Sequence, residues 1–232
     1  MKKKSDKKPI HGSCVSAEIL KKAAQTAFPT PCQTSHLSQE EKIAFIAERF
    51  EEIMEALGLD LSDSSLARTP YRVAKMYVNE IFSGLDLSAF PEIRLIEDKF
   101  QHKDETNMVF TRVRFNSFCE HHFVPMNGTA SIAYAPSGKL IGLSKISRIV
   151  HFFARRPQLQ ERLTAQIADS ICTLLGTPNV AVSILAEHHC IIARGVEDEE
   201  SRVITNVLRG RFDEETSLRR EFFEAVSRSC KP

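Results

Sequence analysis

From residue 38 onward the apolar positions of the chain fall into a helical rhythm. Ile43, Ile46, Phe50, Ile53, Met54 and Leu57 recur three and four apart, the spacing that lines one face of an α-helix. "SQEE" opens the run, with Ser38 followed three residues later by Glu41 in capping-box order, and Gly58 closes it. A second helix is predicted from Thr69 as N-cap with Pro70 at the first helical position; Val73, Met76, Tyr77 and Ile81 follow, and Gly84 ends it. Upstream, residues 1–37 lack sustained periodicity and include Pro9, Pro29 and Pro31. A mostly flexible segment is expected there, with a short helix near 16–27.

After about residue 105 the period switches to two. Val109, Thr111, Val113 and Phe115 share one face, and Phe110, Arg112, Arg114 and Asn116 the other, as on a strand. Residues 129–135 alternate again. Asn127-Gly128 is a hairpin-turn signal, so "FCEHHFVPMNG" (118–128) is expected to join two antiparallel strands. A helix over 144–154 carries Ile146, Ile149, Val150 and Phe153 and is broken by Pro157; another over 158–175 carries Leu159, Leu163, Ile167, Ile171 and Leu174 and stops at Gly176. Strands over 179–187 and 202–208 and a helix over 214–228 complete the pattern. The chain divides into a basic N-terminal segment (1–37), a helical region (38–104) and a β-β-α-α-β-β unit with a final helix (105–232), an α+β protein. A four-stranded sheet with helices on one face has two open edges. Closure with other subunits into a barrel, and hence a homo-oligomer, is expected.

Composition changes this picture little. Hydrophobic content of 42% and charged content of 26% are ordinary for a soluble domain. A net charge of +1 lacks the basic excess of nucleic-acid binders, so no such partner is expected, and the five lysines among the first eight residues read as a solvated tail. No window approaches the ~18 consecutive apolar residues of a membrane span. The lysine-rich start is not followed by an apolar stretch of secretory type, so the expectation is a cytoplasmic protein without membrane attachment. The six cysteines (14, 32, 119, 172, 190 and 230) are scattered; in a reducing compartment they are buried thiols or metal or catalytic groups.

Two clusters carry the chemistry. The C-x-x-H step from Cys119 to His122 lets both side chains reach one ion. Neighbouring side chains point apart, which leaves His121 free to handle protons. In "AEHHCIIARG" the strand period puts His188 and Cys190 on one face and His189 on the other. Cys119, His122 and Cys190 then form a three-ligand set of a type that suits zinc, with a position left for water as in catalytic sites. Cys172 falls in a helical pattern near the apolar stripe and reads as a buried thiol, and the remaining cysteines lie near the termini. His189 as a fourth ligand is the alternative. Glu161 lies about 200° round its helix from Leu159, and by periodicity alone is a solvated acid.

"RTPYRVAKMYVNEIFSGLD", "CEHHFVPMNG", "IGLSKISRIVHFFARRPQLQERLT" and "AVSILAEHHCIIARG" together resemble the GTP cyclohydrolase I family over roughly residues 40–230. The resemblance implies a tunnelling fold (T-fold) assembled as a homodecamer with active sites at subunit boundaries. It also implies hydrolysis of GTP to 7,8-dihydroneopterin triphosphate and formate, the first step of pterin and tetrahydrofolate synthesis. On it, Cys119, His122 and Cys190 are zinc ligands, and His121 and His188 handle protons. Gln160 and Glu161 meet guanine, while Ser144, Lys145, Arg148, Arg194 and Arg72 meet triphosphate and ribose. Read from the residues, Ser144 is a good N-cap with Lys145 and Arg148 in the first turn, cations tolerable there if an anion sits at that terminus. Two departures from the family pattern, Tyr71 and the Thr205-Asn206 pair, touch neither the ligands nor the two histidines.

Overall fold

A computed structural model of the chain describes residues 13–33, 35–98 and 108–229; the lysine run and Cys230 lie outside the described residues. A five-stranded sheet forms its centre. Strands β3 (Val109–Cys119), β4 (Pro125–Tyr134), β7 (Val180–His188) and β8 (Val203–Leu208) run antiparallel in that order, and the two-residue β6 (Pro157–Gln158) pairs in parallel with the end of β3. A small sheet joins β1 (Ser13–Cys14), β2 (Arg94–Glu97) and β5 (Lys139–Ile141). The α-helices among the described residues are α1 (Ala17–Gln25), α2 (Gln39–Ala56), α3 (Thr69–Met76), α4 (Leu143–Ala154), α5 (Gln160–Leu175), α6 (His189–Ile192), α7 (Arg211–Glu214) and α8 (Thr216–Ser229). The β-β-α-α-β-β order is present within this α+β architecture.

Strand alternation decides which face is buried. Val113 and Phe115 of β3, Ala130 and Ile132 of β4, and Val182 and Ile184 of β7 turn to one side. There they pack against Ile146, Ile149 and Phe153 of α4 and Leu163, Ile167 and Ile171 of α5. On the other side a smaller cluster, built round Phe212, Leu218 and Phe222, covers one end of the sheet.

Residues 17–28 are more firmly placed than their irregular sequence suggested. The expected short helix is α1, and Ala23 and Ala24 are buried in the main core. Ala27 N donates to Asp169 Oδ2 of α5 at 3.3 Å, and the buried amide of Gln166 donates to the Phe28 carbonyl at 2.8 Å. These ties are long-range in sequence, so no local period announces them.

Several local expectations need correction. Asn127-Gly128 is not the turn: both residues lie inside β4, opposite Asn116 and Phe115. The glycine is there for space, because a Cβ would stand 2.6 Å from the Leu185 carbonyl oxygen and 2.9 Å from the Phe115 ring. The true turn spans residues 120–124, closed by Cys119 N to Val124 O and Phe123 N to Cys119 O, each 2.9 Å. Thr69 is the first helical residue instead of the cap, since Arg68 takes the N-cap place without a side-chain bond. Gly142 precedes α4 in the same way, so Ser144 lies inside the helix and Arg148 falls in its second turn. The capping box of α2 is present in both directions, Glu41 N to Ser38 Oγ at 3.2 Å and Ser38 N to Glu41 Oε2 at 2.7 Å.

Candidate active site

The register gathers the chemistry at one end of the sheet. Phe118 pairs with Pro125, Met126 with His188, and Cys119 with Gln158. The tip of the β3–β4 hairpin, the last residue of β7 and the start of α5 are therefore neighbours. Cys119, His122 and Cys190 converge there, with one potential ligand atom from each lying within 4.8 Å of the others. Two thiolates and an imidazole at that separation could hold one metal ion. Cys119 is buried, Cys190 partly so, and His122 exposed, which leaves the site open on one side.

Cys190 arrives by a different route from the one its spacing implied. β7 ends at His188, and His189–Ile192 wind into the single turn α6. His188 and Cys190 are thus not two alternate positions of one strand; the helical turn delivers the thiol. His189, the alternative fourth ligand, instead has its Nε2 3.3 Å from Asn127 Nδ2. Burial pushes the Cys190 thiol up, and the Cys119 sulfur beside it adds to the effect. A cation between two such sulfurs would reverse that trend by favouring the thiolates.

The loop bearing Cys119 and His122 is held from several directions. Phe123 takes a positive φ of 53°, uncommon for a bulky residue. Its ring packs with Phe82 (centroids 5.0 Å) and Tyr77 (6.4 Å), which follow α3. Glu120 forms an ion pair with Arg162 of α5, and Glu120 N donates to the Gln158 carbonyl at 3.1 Å. Within this frame His121 projects outward, its side chain 63% exposed and its Nε2 3.9 Å from Glu120 Oε1. Arg194 Nη1 lies 3.0 Å from His122 Nε2. Guanidinium can only donate, so in this contact the ring nitrogen is the acceptor.

His188 stands beside the trio at the end of β7. Its Nε2 is 2.7 Å from Gln160 Oε1. Burial holds its pKa below the ordinary histidine value, with the nearby Glu161 carboxylate pulling the other way. Gln160 itself is 1% exposed, which leaves its amide no face toward a ligand, whereas Glu161 is exposed.

Of Ser144, Lys145, Arg148 and Arg72, the first two stand at the start of α4, away from this end of the sheet. α4 begins after β5 and runs back until the Ala154 carbonyl accepts from Ser117 Oγ of β3 at 2.7 Å. Ser144 is ten residues before Ala154, about 15 Å along a helix rising 1.5 Å per residue. No hydrogen bond or ion pair among the described residues joins these four side chains to Cys119, His122 or Cys190. Expectation from sequence missed the Phe123–Phe82–Tyr77 support and the Glu120–Arg162 pair. Neither has a spacing signal, because each partner comes from a distant element.

Fold and site together define an α+β protein that bears a Cys–His–Cys metal-type site at the end of an antiparallel sheet. Residues 46–227 match the family described as GTP cyclohydrolase I. GTP cyclohydrolase 1 of Aeromonas hydrophila subsp. hydrophila is 51% identical over 212 residues, covering 90% of this chain and 96% of the relative. The Aeromonas salmonicida protein of the same name is 53% identical over 206 residues, 88% of this chain and 94% of its own. The chain belongs to the GTP cyclohydrolase I family, and its function is that of a GTP cyclohydrolase I. Among solved structures, an archaeosine synthase QueF-Like in the apo form aligns with 45% of this chain and 95% of its own at 17% identity and a TM-score of 0.34, too loose to bear on function.

Proposed function

We propose that Cys119, His122 and Cys190 hold a zinc ion, and that this site opens the imidazole ring of GTP at C8 to yield 7,8-dihydroneopterin triphosphate and formate. The convergence of the three ligand atoms within 4.8 Å beside His188 carries the reading. C8 is a weak electrophile and water a weak nucleophile at neutral pH; zinc supplies a water of lowered pKa, near 7 in such sites. Histidine suits the accompanying proton transfers. His188 is held by Gln160 and half-buried, while His121 stands exposed on the loop, so two histidines in different surroundings are available for them. Glu161, near enough to His188 to act on it electrostatically, is the carboxylate available to the guanine N1–H and N2 amine.

The phosphate and ribose contacts proposed for Ser144, Lys145, Arg148 and Arg72 belong, on this reading, to a site completed by a second subunit. What supports it is the placement of α4's start far from the trio. Exposed apolar side chains agree, among them Phe45 and Ile53 of α2, Leu57 at its C-terminal end and Ile204 of β8. A decameric T-fold barrel would cover such surfaces. No helix among the described residues is long and apolar enough to cross a membrane, and a cytoplasmic place at the entry to pterin synthesis is the setting proposed. Subunit mixing tests the shared site. Hybrids of inactive Arg148→Ala and inactive Cys119→Ser subunits should regain GTP-dependent neopterin formation that neither parent shows. Hybrids as inactive as both parents, at an unchanged assembly size, would sink the shared-site reading. Metal analysis of the purified chain tests zinc separately.

A further inference from the structure

The amide of Gln160 has a partner for each of its polar atoms. Nε2 donates to the Ile184 carbonyl at 3.1 Å and the Val203 carbonyl at 3.0 Å, and lies 3.1 Å from Thr205 Oγ1. Oε1 faces His188 Nε2 at 2.7 Å. An amide can be placed either way round, so the neighbours must decide its orientation. Here they do. Two backbone carbonyls can only accept; turning the amide over would press its oxygen against both without a hydrogen between them.

The hydroxyls give the same answer. Thr164 Oγ1 donates to the Gln160 main-chain carbonyl at 2.7 Å. Its single hydrogen is then spent, so in the 2.6 Å contact between the two threonines Thr205 must be the donor. Thr205 Oγ1 is left with lone pairs toward Gln160 Nε2. All three acceptors round Nε2, on β7 and β8, thus share its two hydrogens, and none of them could donate to an oxygen placed there.

We infer that Gln160 is a positioning residue for His188, fixing it as the Nε2–H tautomer and leaving Nδ1 as the ring atom able to take a proton. Gln160 Oε1 offers only lone pairs, so His188 Nε2 must bring the hydrogen. The neutral ring then has its lone pair on Nδ1. This replaces a guanine contact by the Gln160 side chain, since that amide is buried and fully engaged. It also gives Thr205, half of the unusual Thr205-Asn206 pair, a part in holding the site. The consequence for the reaction rests on the proposed proton-handling role of His188; the tautomer does not.

Neutron diffraction from deuterium-exchanged crystals of the metal-loaded full chain tests the tautomer without any variant. At a pH of about 8.5, above the ordinary histidine range, deuterium should appear on His188 Nε2 and two deuterons on Gln160 Nε2. Deuterium on His188 Nδ1 alone, or a reversed amide, overturns the inference. Kinetics test the consequence. Gln160→Met keeps the length and fills the slot without an acceptor. It should lower kcat by about 10–100-fold, as loss of a partner that orients a functional histidine does, with KM for GTP within about twofold and metal content unchanged. Gln160→Glu, protonated in this slot, restores the acceptor and should recover most of the lost kcat. A raised KM at unchanged kcat in Gln160→Met would instead assign the side chain to guanine. A fully active His188→Ala protein would overturn the role of His188, while a wrong tautomer beside an inactive His188→Ala overturns only the positioning by Gln160.

Discussion

Replacing Gln166 by leucine should loosen the N-terminal segment from the catalytic layer. Gln166 is 0% exposed and bridges distant parts of the chain. Its Nε2 donates to the Phe28 carbonyl at 2.8 Å and Thr30 Oγ1 at 3.3 Å, and its Oε1 accepts from Gln158 Nε2 at 2.8 Å. Leucine fills similar volume but makes none of these bonds. Gln158 Nε2 keeps its 2.7 Å bond to the Phe153 carbonyl, so only part of its hydrogen bonding is lost. The Phe28 carbonyl loses its side-chain partner outright. Three bonds at roughly 1 kcal/mol each, with an added penalty for groups left unsatisfied, put the loss at about 2–4 kcal/mol. For a chain of this size that lowers Tm by roughly 5–15 °C, measured at one fixed subunit concentration and metal content. Hydrogen exchange should locate the damage. Amides of residues 17–33 should exchange faster, while β4 and β7 keep their protection, because part of the tie between α5 and the stretch after α1 is lost and the central sheet is untouched. A Tm within about 1 °C of the parent, with unchanged exchange over 17–33, would refute the reasoning.

Cys119→Ser and Cys190→Ser should each lose bound zinc and GTP turnover together, since a hydroxyl is a poor substitute for thiolate on zinc; full zinc by elemental analysis in both variants would remove the trio as ligands. His121→Ala should keep metal and assembly size yet turn over about 10²–10⁴-fold more slowly, the range for losing a general acid–base. Metal loss equal to the cysteine variants would mean that His121, and not His122, is the ligand. Glu161→Gln supplies one acceptor oxygen where guanine offers two donors. Its kcat/KM for GTP should fall sharply at unchanged zinc content, and parental kinetics would return Glu161 to the solvent.

Local rules settled much of this protein in advance. The Ser38–Glu41 box, the period-two alternation of β3 and Gly176 in the left-handed region (φ 66°) at the end of α5 are each decided within a few residues. The element order was therefore legible, as was the set of three residues whose chemistry suits a metal. Tertiary structure decided what each position is for. Asn127-Gly128 has the composition of a turn, but the packing of Leu185 and Phe115 against Gly128 makes it strand. Cys190 follows His188 by a strand's interval, but the chain turns helical at His189 and carries the thiol to Cys119 by another path. Gln160 sits at the head of an amphipathic helix like any polar residue; only β7 and β8, closing over it with two carbonyls and a hydroxyl, orient its amide toward His188. Periodicity records which face of an element is buried, because burial repeats with the backbone's own geometry. It holds no record of which distant polar atoms will meet there, since those meetings are made by the pairing of strands far apart in sequence.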